Sequence, residues 1–124
     1  MRQPVKKSAM EKKNTTGEQI KLYSTISPLL WAAFNEVKEF SKKKQDEQLN
    51  LKKVKMINRL LEKAKVVLEN EPTVDFLDML DEDDLPTNSD AVLTMSQYIS
   101  AMDKFHSDHY HRNKWDLDGD GEWD

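Results

Sequence analysis

Residues 50–68, NLKKVKMINRLLEKAKVVL, decide the fold. Val54, Ile57, Leu61, Ala64 and Leu68 recur at three- and four-residue steps, with Leu60 and Val67 beside them. That spacing is one face of a 3.6-residue helix. Asn50 stands just before the first periodic residue, where an asparagine side-chain oxygen can accept from a first-turn amide. Pro72 ends the pattern. The spacing predicts a helix over about 51–70. Lys52, Lys55, Arg59 and Lys63 occupy the opposite face. The helix is therefore amphipathic and needs another element to cover its stripe.

The flanking segments supply that element. Ser27 and Pro28 read as an N-cap followed by proline at the first helical position. Ile26, Leu30, Ala33, Val37 and Phe40 form a second stripe, flanked by Leu29 and Phe34. Lys42, Lys43 and Lys44 close it with cations that suit a helix C-terminus. The predicted helix spans about 28–43, with a further turn or two from about Glu18. On the other side, Thr73 caps a short segment, Val74–Leu80, whose Phe76, Leu77 and Leu80 are expected to fold back as a lid. Residues 81–86 read as a loop. Ser89 caps a last helix at about 90–111, with Val92, Met95, Ile99, Met102, His106 and His109 along its seam and Tyr98 and Phe105 beside it.

No segment alternates apolar and β-branched residues with polar ones over six or more positions, so no sheet is expected. Helices of this kind gain most of their stability from packing. The sequence thus predicts an all-α fold: a small antiparallel helical bundle of three long helices and one short one. The expected division is a disordered basic arm at 1–17, a helical domain at 18–112 and an acidic tail at 113–124.

Composition agrees with a modest core. The 124 residues include 37% hydrophobic and 34% charged side chains, with a net charge of -4. Cysteine is absent, which removes disulfides, thiolate metal sites and cysteine nucleophiles. Three glycines leave no phosphate-cradling loop. No apolar run is long enough for a bilayer, and no apolar segment follows the basic N-terminus as in a signal peptide. A cytoplasmic location follows as an expectation. The charge is unevenly laid out: residues 1–70 hold 16 bases and 8 acids, residues 71–124 hold 3 bases and 15 acids.

Four groups of residues are candidates for function. The tail 116–124, DLDGDGEWD, has oxygen ligands at Asp116, Asp118 and Asp120, a glycine at 121, Glu122 and Asp124. It resembles an incomplete EF-hand calcium loop, matching ligand positions 1, 3 and 5, the turn glycine at 6, the carbonyl at 7 and an acid at 9. The resemblance implies weak Ca2+ binding, because the bidentate glutamate at position 12 has no counterpart. A second metal set is Asp103, His106 and His109, one helical turn apart, whose imidazole and carboxylate donors suit zinc or nickel. The stripe Lys52, Lys55, Arg59 and Lys63 could follow phosphates, although the acidic balance disfavours nucleic acid. The acid group Asp78, Asp81, Glu82, Asp83 and Asp84, with Trp31 as an edge-of-core anchor, forms the expected partner-binding surface.

Nothing in the sequence assembles a catalytic site, so no enzyme activity is expected. The sequence reading is a helical protein–protein interaction module: a small regulator, inhibitor or adaptor. Its expected partner is another protein of basic character, with a homodimer as a second arrangement. No firm cofactor is expected beyond Ca2+ at the tail, and no membrane contact.

Overall fold

A computed structural model describes residues 16–112 and 121–123. The main body is all-α. It contains α1 (Gly17–Lys43), α2 (Leu51–Val67), a 3-10 turn at Pro72–Phe76 and α3 (Asn88–His109). Two short strands follow, β1 (Tyr110–Arg112) and β2 (Gly121–Trp123). Among the described residues, no helix is long and apolar enough to cross a membrane. The expected arm at 1–17 lies outside the described residues up to residue 15; Thr16 and Gly17 belong to the start of α1.

The first helix starts eleven residues before the Ser27–Pro28 cap read from the sequence. Its cap is Thr16. The Thr16 hydroxyl oxygen accepts from the Gln19 amide at 3.1 Å, and the Gln19 side-chain oxygen accepts from the Thr16 amide at 3.1 Å. This reciprocal capping box satisfies two donors that a helix start otherwise leaves open. Pro28 sits inside the helix. Its missing N–H leaves the Ser24 carbonyl without an intrahelical donor, but Ser24 and Pro28 are both exposed, so water can serve. An interior proline costs up to ~3 kcal/mol relative to alanine. Pro28→Ala should therefore raise the unfolding free energy by about 1–3 kcal/mol, read from thermal denaturation by circular dichroism. A loss of stability would show that Pro28 marks a helix start after all.

In α2, Asn50 accepts from the Lys53 amide at 2.9 Å. The helix stops at Val67, short of residue 70, and Leu68 is fully buried as its C-cap. The side-chain amide of Gln19 donates to the Val67 carbonyl at 3.1 Å, filling one acceptor at the α2 end. The start of α1 thus meets the end of α2.

The third helix starts at Asn88, two residues earlier than expected, because Thr87 rather than Ser89 is its cap; the Thr87 hydroxyl accepts from Asp90 at 3.1 Å. The first amides of α3 bond to the α1–α2 link: Asn88 N–H to Glu47 at 2.8 Å and Ser89 N–H to Gln45 at 3.1 Å. The Asn88 side chain adds a 2.8 Å bond to the Lys44 carbonyl. At the far end, Tyr23 of α1 meets Phe105 of α3, ring centroids 5.6 Å apart. Both α2 and α3 therefore run against α1 and parallel to each other. Antiparallel neighbours throughout, as the sequence suggested, are not what the chain adopts. The reason is the segment 68–87, which returns along the length of the molecule instead of making a tight turn.

That crossover is pinned at both flanks. Asn58 of α2 donates to the Leu80 carbonyl and accepts from the Leu80 amide, both at 2.9 Å. Tyr98 of α3 donates its hydroxyl to the Asp78 carbonyl at 2.8 Å. Leu77 and Leu80 are buried as the lid reading expected, but Phe76 is 78% exposed and takes no part in it. The 3-10 turn shifts the pattern: it ends at Phe76 and hands over to extended backbone at Leu77.

Tyr98 has the largest fully buried side chain, and Phe105 shares the interior with it. The sequence placed both beside the α3 seam. Burial, with the Asp78 carboxylate adding to it, pushes the Tyr98 phenol up to about 12. A raised folded pKa means that the contribution to stability is complete below the unfolded value near 10 and is lost as pH rises toward 12. Helical circular dichroism should fall through that window, and Tyr98→Phe should hold its helix to higher pH than the parent. Identical alkaline transitions for parent and variant would contradict this origin.

β1 pairs with β2 in antiparallel fashion, Tyr110 opposite Trp123 and Arg112 opposite Gly121. The expectation of no sheet is corrected here. Strands of three residues are too short to leave a periodic trace, and Tyr110 and His111, read as the end of the last helix, begin the pairing instead.

Candidate interaction surface

The apolar stripes of α1 and α2 are wider than the contact between them. In α1, Ile26, Leu30, Phe34 and Val37 are buried, so the buried centre turns toward Phe34. Leu29 and Phe40 are left 52% and 40% exposed, and Ala33 is half-buried. In α2, Val54, Ile57, Leu61 and Ala64 are buried, while Met56 stays 53% exposed and Leu60 half-buried. The leftover edges face each other across a groove of about 630 Å³. Leu29, Ala33 and Phe40 form one wall, Met56 and Leu60 the other.

The rim of this groove is charged. Lys53, Arg59 and Lys63 line it from α2, and Glu36 lines it from α1. The Lys53 ammonium lies 4.4 Å from the centre of the Phe40 ring, a cation–π contact that holds the aromatic at one end of the wall. Among the described residues, no ion pair engages Lys53, Arg59 or Lys63.

Of the acid group, Glu82 lies against the other flank of α2. A smaller depression there is lined by Lys55, Asn58, Arg59, Met79 and Glu82. Arg59 therefore borders both features. The Asn58 side chain, besides holding Leu80, approaches the Glu82 carboxylate at 3.3 Å. Asp81 organises the loop: one carboxylate oxygen accepts from the Asp83 amide at 2.8 Å and the Asp84 amide at 3.0 Å. Those amides, Asp84 first, hold the Asp81 carboxyl below its ordinary value. The loop's order is thus complete above the ordinary aspartate range and weakens as pH falls below it. Asp78 contributes its backbone carbonyl to Tyr98, and its side chain is exposed.

Trp31 is 40% exposed and packs edge-on against Phe34, centroids 5.8 Å apart. It lines neither depression, so the structure does not join it to the acid loop. Lys52, Lys55, Arg59 and Lys63 are all exposed. Lys55 borders the smaller depression, Lys63 the groove and Arg59 both, while Lys52 lines neither.

His106 and His109 sit near the end of α3. His109 is buried, and its Nε2 lies 2.9 Å from the Glu71 carboxylate, tying the end of α3 to the turn after α2. His106 stacks between Tyr23 and Tyr110, at 5.7 and 4.7 Å. Asp103 is exposed on the same helix. Among the described residues, no group of three or more histidine or acid side chains could hold a metal ion. Of the calcium-like residues, Asp116, Asp118, Asp120 and Asp124 lie outside the described residues, and Glu122 is described only as part of β2.

Sequence reasoning missed the groove. The signal was present in the width of the α1 stripe, where Leu29, Ile26, Ala33 and Phe40 crowd one side and Phe34 the other. Comparison of the chain with protein-family models, with curated proteins and with solved structures gives no match.

Proposed function

We propose that this chain is a helical protein–protein interaction module that works through the α1–α2 face, with no catalysis of its own. The observation that carries the reading is the groove walled by Leu29, Phe40, Met56 and Leu60 and rimmed by Lys53, Arg59 and Lys63. Fully burying a leucine, phenylalanine or methionine side chain gains ~1.5–3 kcal/mol. A surface that leaves several half-exposed side chains in one place has that gain still available. Contiguous apolar surface with a polar rim is characteristic of contact sites. The acid loop 78–84 supports the same reading as a neighbouring charged surface, where mismatched partners would be repelled.

The test is a photo-crosslinking amino acid placed at position 56, at position 83 in the acid loop and at position 93 on α3, in cells that make the protein. Leu93 is 63% exposed and serves as the off-face control. A discrete adduct from position 56, absent from position 93, is expected. Equal labelling from 56 and 93, or none from 56, would overturn the reading.

A second reading concerns calcium. β2 pairs with β1, Gly121 opposite Arg112 and Glu122 opposite His111, an extended placement that departs from the sharp turn at the sixth EF-hand position. The reading rests on the spacing of Asp116, Asp118 and Asp120 in the sequence. In the EF-hand the seventh position supplies a backbone carbonyl to the ion. On this reading the tail takes Ca2+ weakly. Calcium-dependent tryptophan emission that Asp118→Ala abolishes would support it, and emission unaltered by calcium would remove it.

A further inference from the structure

The groove has a shape and a charge that together specify what fits it. We infer that it receives an acidic amphipathic helix of a partner protein, an inference that rests on the interaction-module reading above.

The shape comes first. The groove is bounded by two helices lying side by side, so no strand edge is offered for an added strand to extend. Along α1 it runs from Ile26 to Phe40, roughly 21 Å at 1.5 Å per residue. That length suits about four turns of a third helix. Ala32 and Ala33 sit on the α1 wall and lower it, which lets another backbone approach to the usual 8–10 Å between packed helices. Leu29 and Met56, the two most exposed apolar side chains of the groove, would anchor apolar residues spaced one turn apart on the incoming face.

Charge selects among helices. α1 and α2 carry ten bases and four acids between them, whereas the crossover 68–87 carries eight acids and no base. On the groove rim itself, Lys53, Arg59 and Lys63 outnumber Glu36. Acidic side chains flanking an apolar stripe would meet those cations as the stripe seats. A second copy of this chain in groove-to-groove contact would instead bring two sets of the same bases together. Nucleic acid would place charged backbone against a floor of leucine, alanine, phenylalanine and methionine.

The experiment uses two synthetic helical peptides with the same four-turn apolar stripe, one flanked by glutamate and one by lysine, titrated into the full chain. Binding is read by fluorescence anisotropy and by amide chemical shifts. Sedimentation of the free protein and titration with a DNA duplex complete the set. The glutamate peptide should bind at least about tenfold more tightly than the lysine peptide at low salt, with the gap narrowing as salt screens the rim. Its shifts should centre on Leu29, Met56 and Leu60. Leu29→Glu and Met56→Glu should each weaken it at least about tenfold, while Leu93→Glu leaves it unchanged. The double variant Lys53→Glu, Lys63→Glu should reverse the preference between peptides while circular dichroism stays that of the parent.

Binding of neither peptide, equal binding of both, shifts centred on α3, a dimer that buries Met56, or tighter binding of the DNA duplex at the same bases would each overturn the inference. An adduct from position 56 in cells alongside preference for the lysine peptide would defeat the inference and leave the interaction-module reading standing. Absence of that adduct would defeat the reading itself.

Discussion

Asn58→Leu is expected to lower the unfolding free energy by about 2–5 kcal/mol and to loosen the crossover first. The side chain of Asn58 is the partner of both backbone groups of Leu80, at 2.9 Å each. Leu80 is only 5% exposed, so water cannot readily replace the lost bonds. Each buried polar group left unmatched costs roughly 1–3 kcal/mol. Leucine also fills the asparagine volume with apolar surface that does nothing for Leu80. Urea denaturation gives the free energy, and hydrogen exchange locates the loss. The Leu80 amide should exchange far faster, with its neighbours in 77–85 following, while α1 amides keep most of their protection. A change below about 1 kcal/mol with an unaltered Leu80 amide would show that the crossover is held by something other than Asn58.

Phe105→Ala should cost about 3–5 kcal/mol, the range for deleting a buried aromatic side chain. Phe105 is 1% exposed, with the Tyr23 ring at 5.6 Å and the His109 ring at 5.0 Å. Its removal opens a hole where α1 and α3 meet. Natural domains have only ~5–15 kcal/mol to lose, so the variant should melt well below the parent and bind a hydrophobic dye at temperatures where the parent does not. Phe40→Ala makes the comparison sharp. Phe40 is the same residue type on the groove wall, 40% exposed, and its loss should cost much less. Equal costs at 105 and 40 would mean that the groove wall is as deeply packed as the core.

The helices were legible in the sequence because their stripes repeat several times. Val54, Ile57, Leu61 and Ala64 announce α2, and all are buried where the period puts them. Boundaries were harder because several residues compete to cap. Ser27–Pro28 carries the usual signature of a helix start, yet Thr16 and Gln19 form the actual capping box and the helix tolerates Pro28 on its wet side. Ser89 lost to Thr87 because the amides of Asn88 and Ser89 are taken up by carbonyls of the α1–α2 link. That pairing joins residues forty apart and leaves no local trace. The relative direction of α2 and α3 was equally hidden, since it depends on Asn58 and Tyr98 reaching backbone groups of the crossover.

The site was legible in parts. The bases of α2 and the acids of the crossover could be read directly. Their arrangement could not: Arg59 borders both depressions, and the groove lies where Leu29 and Phe40 stay exposed while Phe34 is buried. Trp31, the most conspicuous anchor in the sequence, packs on Phe34 and lies outside both depressions.

Methyl-resolved NMR of the isolated protein with a soluble paramagnetic agent asks whether the α1–α2 face stands open to water. Strong broadening of the Leu29 and Met56 methyl signals is expected, with those of Val54 and Leu61 spared. Sharp Leu29 and Met56 signals in the free chain would contradict it, because the groove would then already be filled by the protein's own tail or by a second copy.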